Sequence, residues 1–138
     1  MSAFEDTSLK YINIPEGVGD IDFLAFSGTR LKSIRLPDSV KILYSAVFHS
    51  CQELEEVDLG SIKEMNEETF KDCIHLTKII IPNTLNVLQA NNFDGCNRLR
   101  EITYLGTIDD FKVTKYGNPD VRNITIHCTD GDYVWETK

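Results

Sequence analysis

Leu76-Thr77-Lys78-Ile79-Ile80-Ile81-Pro82 carries a spacing that returns along the whole chain and sets the register of everything else. An aliphatic residue is followed by others three and five positions later. The same triplet stands at Leu9/Ile12/Ile14, Leu31/Ile34/Leu36, Leu54/Val57/Leu59, Leu99/Ile102/Tyr104 and Val121/Ile124/Ile126, in steps of 22 or 23 residues. A period of that length marks stacked repeats, because one short unit cannot bury its own apolar face without neighbours above and below. Ile12-Asn13-Ile14 and its counterparts alternate apolar and polar, so each is expected to be a short strand with one buried face. Pro15, Pro37 and Pro82 end three of these strands by removing a backbone donor, and Gly60 stands in the same column where the repeat is a residue shorter.

Downstream of the strand a second apolar pair recurs: Val18/Ile21, Val40/Leu43, Ile62/Met65, Leu85/Leu88 and Ile108/Phe111. Five residues further on comes an aromatic: Phe26, Phe48, Phe70, Phe93 and Tyr116, with Phe4 ahead of them in a partial first coil. The expectation is a spine of rings, with offset or edge contacts worth about 0.5 to 1.5 kcal/mol per pair beyond area burial. Three residues beyond the aromatic stand Cys51, Cys73 and Cys96, with Thr29 in a nearby slot of the second repeat. This spacing follows the repeat, which reads as free buried thiols packed as small apolar groups.

The last third is expected to be a sixth, degenerate coil through Ile108, Phe111, Tyr116, Val121, Ile124 and Ile126. Beyond it, Ile124 to Thr129, Asp130-Gly131 and Asp132 to Glu136 read as a β-hairpin that caps the open end, with Asp-Gly supplying the positive φ of a tight turn. The whole of 1–138 is taken as one domain, with repeats over 4–128 and the cap over 123–137.

Composition narrows the function. A net charge of −8, with no compensating basic segment, weighs against nucleic acid and anionic membranes as partners. No apolar run nears 18 residues, so membrane insertion is not expected. The chain as it stands reads as cytoplasmic, and as secreted or surface-borne if it is part of a larger exported protein.

Together the Leu, Ile, Pro, Phe and Cys columns resemble the BspA-type leucine-rich repeat over residues 4–128. The resemblance implies a right-handed solenoid of about six coils, with short parallel strands on the concave face and short helical or 3-10 turns and loops on the convex face. It also implies protein binding, adhesion or host interaction, and brings no catalytic residues.

The chemistry-bearing residues support the same reading. The Cys column with His49 and His75 invites a zinc site, but equivalent positions of stacked coils form a straight ladder, not a tetrahedron. His127-Cys128 suggests a nucleophile with its base, yet neighbours on a strand point to opposite faces. Thr129 to Asp132 lacks the ligand set of a calcium loop. Glu53, Glu55, Glu56, Asp58, Glu64, Glu67 and Glu68 mostly fall outside the buried columns and read as a solvated face. No metal or other cofactor is expected, and no enzymatic activity. The binding residues are taken to be those between the buried strand positions: Tyr11, Asn13, Ser33, Arg35, Glu56, Asp58, Lys78, Ile80, Glu101 and Thr103. Ile80, flanked by charges of both signs, resembles an anchor with a polar rim. The expected partner is a protein or peptide, the rival reading being a spacer within a larger exported array. The uncovered first strand, residues 9–14, predicts a monomer or a weak dimer through that edge.

Overall fold

The computed structural model describes residues 3–120 and 122–137. In chain order the elements are β1 (Asp20–Ile21), β2 (Ser33–Arg35), β3 (Ile42–Leu43), β4 (Glu56–Asp58), β5 (Glu64–Met65), β6 (Lys78–Ile81), β7 (Leu88–Gln89), a 3-10 helix (Ala90–Phe93), β8 (Glu101–Tyr104), α1 (Ile108–Thr114), β9 (Lys115–Tyr116), β10 (Ile124–Cys128) and β11 (Gly131–Trp135). The even strands from β2 to β10 lie side by side and parallel, and β11 closes the sheet antiparallel to β10. The opposite side is a narrow parallel sheet, β1-β3-β5, followed by the pair β7-β9. This is a leucine-rich repeat solenoid.

The expected columns fill the space between the two sides. Ile34, Val57, Ile79, Ile102 and Ile126 point inward from the long sheet, and Leu31, Leu54, Leu76 and Leu99 are buried behind them. Phe4, Phe26, Phe48, Phe70 and Phe93 stack with nearly parallel planes, their centroids 5.5, 5.7, 5.5 and 6.1 Å apart. Left-handed backbone flanks Phe26, Phe48 and Phe70 on both sides, and follows Phe4 and Phe93. Leu24, Ala46 and Glu68, two residues before a Phe, have φ near +59°, and Asp6, Gly28, Ser50, Asp72 and Gly95, two residues after one, are also at positive φ. These paired reversals turn the chain around the ring in coil after coil. At Gly95 a side chain is also excluded by space, since a Cβ would run into the Asp72 carboxylate of the coil before.

Four expectations need correction. First, the chain from Leu9 to Ile14 is not a strand, and β2 is the edge of the sheet among the described residues. Its backbone tie to the second coil is Arg30 N–H to the Leu9 carbonyl, 3.0 Å. Second, besides the expected turns and loops and the helical turns Ala90–Phe93 and Ile108–Thr114, the convex side carries two-residue strands that the spacing did not announce.

Third, Tyr116 is not in the spine. It is 70% exposed, and it pairs with Gln89 and not with the Phe93 position. The cause is α1, whose start is fixed by a capping box: Asp110 N–H donates to Thr107 Oγ1 at 3.1 Å and Thr107 N–H to Asp110 Oδ2 at 3.0 Å. The helix adds residues to the coil and carries Phe111, fully buried, into a different aromatic group. There it meets Tyr104 and Trp135 edge-on, at 5.2 and 5.3 Å, and Tyr133 at 5.8 Å. Fourth, β10 is offset: Ile126, not Ile124, pairs with Ile102. A shift of two keeps the inward and outward faces of the strand, so burial tolerates it. Val121, expected in this column, lies outside the described residues.

The hairpin pairs Ile124 with Trp135 and Cys128 with Gly131. The positive φ, +139°, belongs to Gly131 as the first residue of β11, and the turn itself is Thr129-Asp130. Asp130 Oδ1 accepts the Ile108 N–H at 2.9 Å, which ties the hairpin to the start of the helix, and Trp135 Nε1 donates to the Gly117 carbonyl at 2.9 Å, which ties it to the bend after β9. The N-terminal end is different: an apolar depression of about 340 Å³ remains there, bordered by Phe4, Ile12, Val18, Ile21 and Phe26.

Candidate binding groove

Because side chains alternate along a strand, each residue between two buried ones faces outward. Strand pairing then aligns these positions into two rows. One runs Ser33, Glu56, Lys78 and, by the register of β6 on β8, Glu101; the other runs Arg35, Asp58, Ile80, Thr103, His127 and Asp132. Between them lies an open groove of about 480 Å³.

Eight of the ten expected binding residues border this groove: Ser33, Arg35, Glu56, Asp58, Lys78, Ile80, Glu101 and Thr103. Tyr11 and Asn13 do not, because their segment is outside the sheet; Tyr11 is 86% exposed, and Asn13 borders the N-terminal depression. The additions are Thr77, His127 and the largely buried strand residues Ile34, Val57 and Ile79 that form its floor. His127 was open to discovery from the sequence: in Ile124-Thr125-Ile126-His127 the buried isoleucines put Thr125 and His127 on the outward face.

Ile80 is half-buried and is flanked across the strands by Asp58 and Thr103. Charges of both signs surround it and pair across strands. Arg35 Nε stands 3.8 Å from Asp58 Oδ2, whose other oxygen accepts the Gly60 N–H at 3.0 Å; Lys78 Nζ stands 3.8 Å from Glu56 Oε1. Such exposed pairs contribute about 0 to 1 kcal/mol each, so a partner's charges can replace them at little cost.

His127 is held more closely. Its Nε2 is 2.8 Å from Glu101 Oε1 on β8 and its Nδ1 is 2.8 Å from Asp132 Oδ1 on β11. The Glu101 carboxylate, and then that of Asp132, holds its proton above the usual imidazole range. Cys128, next on the strand, bears no such relation to it; burial and the nearby Asp130 carboxylate push its thiol up, away from the thiolate a nucleophile needs.

The other candidates are dispersed. His49 Nδ1 meets Ser50 Oγ at 3.0 Å and His75 Nδ1 meets the Gln52 carbonyl, while Glu53 pairs with Arg30 at 2.6 Å. Among the described residues no group of three or more His, Cys, Asp or Glu could hold a metal ion, and no helix is long and apolar enough to cross a membrane.

Comparison with known proteins agrees with this architecture. No curated protein matches the chain. One solved structure, a leucine rich cell surface protein from Faecalibacterium prausnitzii A2-165, shares 25% identity with a TM-score of 0.57, over 74% of this chain and 34% of that one. The chain thus spans about a third of the length of that protein. The BspA type leucine rich repeat region matches residues 1–119 in six copies. A repeat family that covers the coils whose Leu, Phe and Cys columns build this core leaves one assignment: the chain belongs to the BspA-type leucine-rich repeat family.

Proposed function

We propose that this chain is a non-enzymatic binding domain that takes a protein or peptide segment along the groove of its long sheet. The observation that carries the reading is Ile80, a half-buried aliphatic side chain at the middle of the groove, ringed by weakly paired charges. An apolar anchor inside a polar rim is the usual anatomy of a protein-binding surface. The groove's size, about 480 Å³, is ample for a short run of side chains. By likeness to a cell surface protein, the partner is met at a cell surface, and adhesion is the corresponding role.

The test compares capture of partners by the wild type, by the double variant Ile80→Ser, Asp58→Ala, and by Tyr11→Ser. The double variant is expected to lose capture with little change in Tm, whereas Tyr11→Ser, outside the groove, keeps it. Equal capture by all three would favour a spacer role within a larger repeat protein.

A further inference from the structure

The charges of the groove do not balance. Four carboxylates border it or its C-terminal edge, from Glu56, Asp58, Glu101 and Asp132; the permanent cations are Arg35 and Lys78. His127 is the third cation only while protonated, and the whole chain carries −8. Arg35 and Lys78 reach their carboxylates at 3.8 Å with side chains 86% and 77% exposed, so these contacts exchange readily with a ligand.

His127 controls the remainder. Its two nitrogens face two carboxylates at 2.8 Å each, and an imidazole donates to both only when it carries two N–H groups. A neutral ring keeps one of these hydrogen bonds and leaves the other carboxylate facing the groove without a donor. The groups around it from the packed elements are Glu101 and Thr103 on β8, Asp132 on β11, Asp130 in the turn, Cys128 on its own strand, and Lys78 one strand beyond Glu101. Apart from Lys78, every charged group in this set is acidic, so proton loss makes this end of the groove more negative.

The span from β2 to β10 is four strand spacings, about 19 Å, which matches about six residues of extended chain. We infer that the groove takes an extended segment carrying lysine or arginine beside an aliphatic residue, and that loss of the His127 proton strengthens its binding. This rests on the groove being the binding face. The aliphatic side chain sits on Ile80, and the basic groups take Glu56 or Asp58 toward one end and Glu101 with Asp132 toward the other. The acid surplus also draws such a segment in and turns acidic ones away.

Three labelled synthetic peptides of equal length test this by fluorescence polarisation, each with a central isoleucine: one bearing lysines and arginines, one with serines and threonines in their place, one with glutamates. At low salt the basic peptide is expected to bind about tenfold or more tightly than the neutral one, with the acidic one weakest, and added salt narrows the gap. Between about pH 6 and pH 8.5, across the imidazole range, its affinity is expected to rise about threefold in the wild type and to stay level in His127→Gln, whose fold is checked by a melt. Equal affinity for basic and neutral peptides, no binding of the basic peptide at millimolar concentration, or the same rise with pH in His127→Gln would each overturn the inference. Ile80→Arg separates the two levels. If it abolishes binding of a peptide that prefers no charge, the groove is the binding face and the inference about charge fails; if it changes nothing, both fail.

Discussion

The Cys73 thiol donates a hydrogen bond to the Phe48 carbonyl, one coil upstream, at 3.1 Å. Cys51 does the same to Phe26 and Cys96 to Phe70, each at 3.0 Å. The cysteine column is therefore a ladder of donors that ties each coil to the aromatic rung before it, and not only a set of small apolar groups. The Phe48 carbonyl also accepts the Cys51 N–H at 3.2 Å, so the thiol satisfies its second lone pair. Cys73→Ser retains a donor and is expected to cost about 1 kcal/mol, whereas Cys73→Ala loses the donor and opens space, at about 2 kcal/mol. Urea titrations of both variants check the order; a serine variant less stable than the alanine one would mean that packing alone sets this column.

Burial raises the Cys73 thiol well above its ordinary value, and Cys96 to about 12. The folded state therefore favours the neutral thiol. The stability tied to that preference is intact below the unfolded value of 9.0 and is lost as pH rises from there toward the folded one. Melts in this alkaline window are expected to fall more steeply for the wild type than for Cys96→Ser. In native protein at neutral pH, a bulky maleimide should label Cys128 and spare Cys51, Cys73 and Cys96, all of which are buried.

Phe70 is fully buried between the rings of Phe48 and Phe93, and Tyr116 stands out in solvent. Phe70→Ala is expected to cost about 3 to 5 kcal/mol. Tyr116→Ala, the variant a purely periodic reading would rank beside it, is expected to stay within about 0.5 kcal/mol of wild type. Calorimetry on the two separates the stacked column from the residue that only shares its spacing.

The raised proton affinity of His127 comes from Glu101 and Asp132 in the folded chain. Its contribution to stability is therefore complete below the unfolded value of 6.5 and disappears as pH climbs through the higher folded value. The Tm difference between wild type and His127→Gln is expected to be largest at mildly acidic pH and to shrink toward pH above 8 or so. A difference that grows with pH would mean that the two carboxylates are not its partners.

Ser50 sits at φ +57° in the column that Gly28 and Gly95 also occupy. An L-residue pays a steric penalty there that glycine does not, so Ser50→Gly is expected to raise stability by about 0.5 to 1 kcal/mol. Thermal denaturation measures it. The converse change, Gly95→Ala, should destabilise, because its new methyl meets the Asp72 side chain.

How much of this was legible depended on whether a feature repeats. Leu31, Leu54, Leu76 and Leu99, the phenylalanines from Phe4 to Phe93, and the thiols of Cys51, Cys73 and Cys96 were readable from sequence because stacking demands the same side chain at the same place in every coil. The alternation within each strand likewise assigned the outward residues from Ser33 to Thr103. What tertiary structure decided lies in the first and last of the described coils. Leu9 to Ile14 keeps the strand motif but does not join the sheet, which takes Tyr11 and Asn13 out of the groove. Phe111 and Tyr116 keep the period but exchange importance, because a locally capped helix lengthens that coil by an amount the spacing does not reveal. His127 enters the site only through the pairing of β10 between β8 and β11, which brings Glu101 and Asp132 to its two nitrogens from positions 26 and 5 residues away. A side chain's place in a repeat is a local property of the sequence; the convergence of three strands on one imidazole is set by register, which only the packed sheet determines.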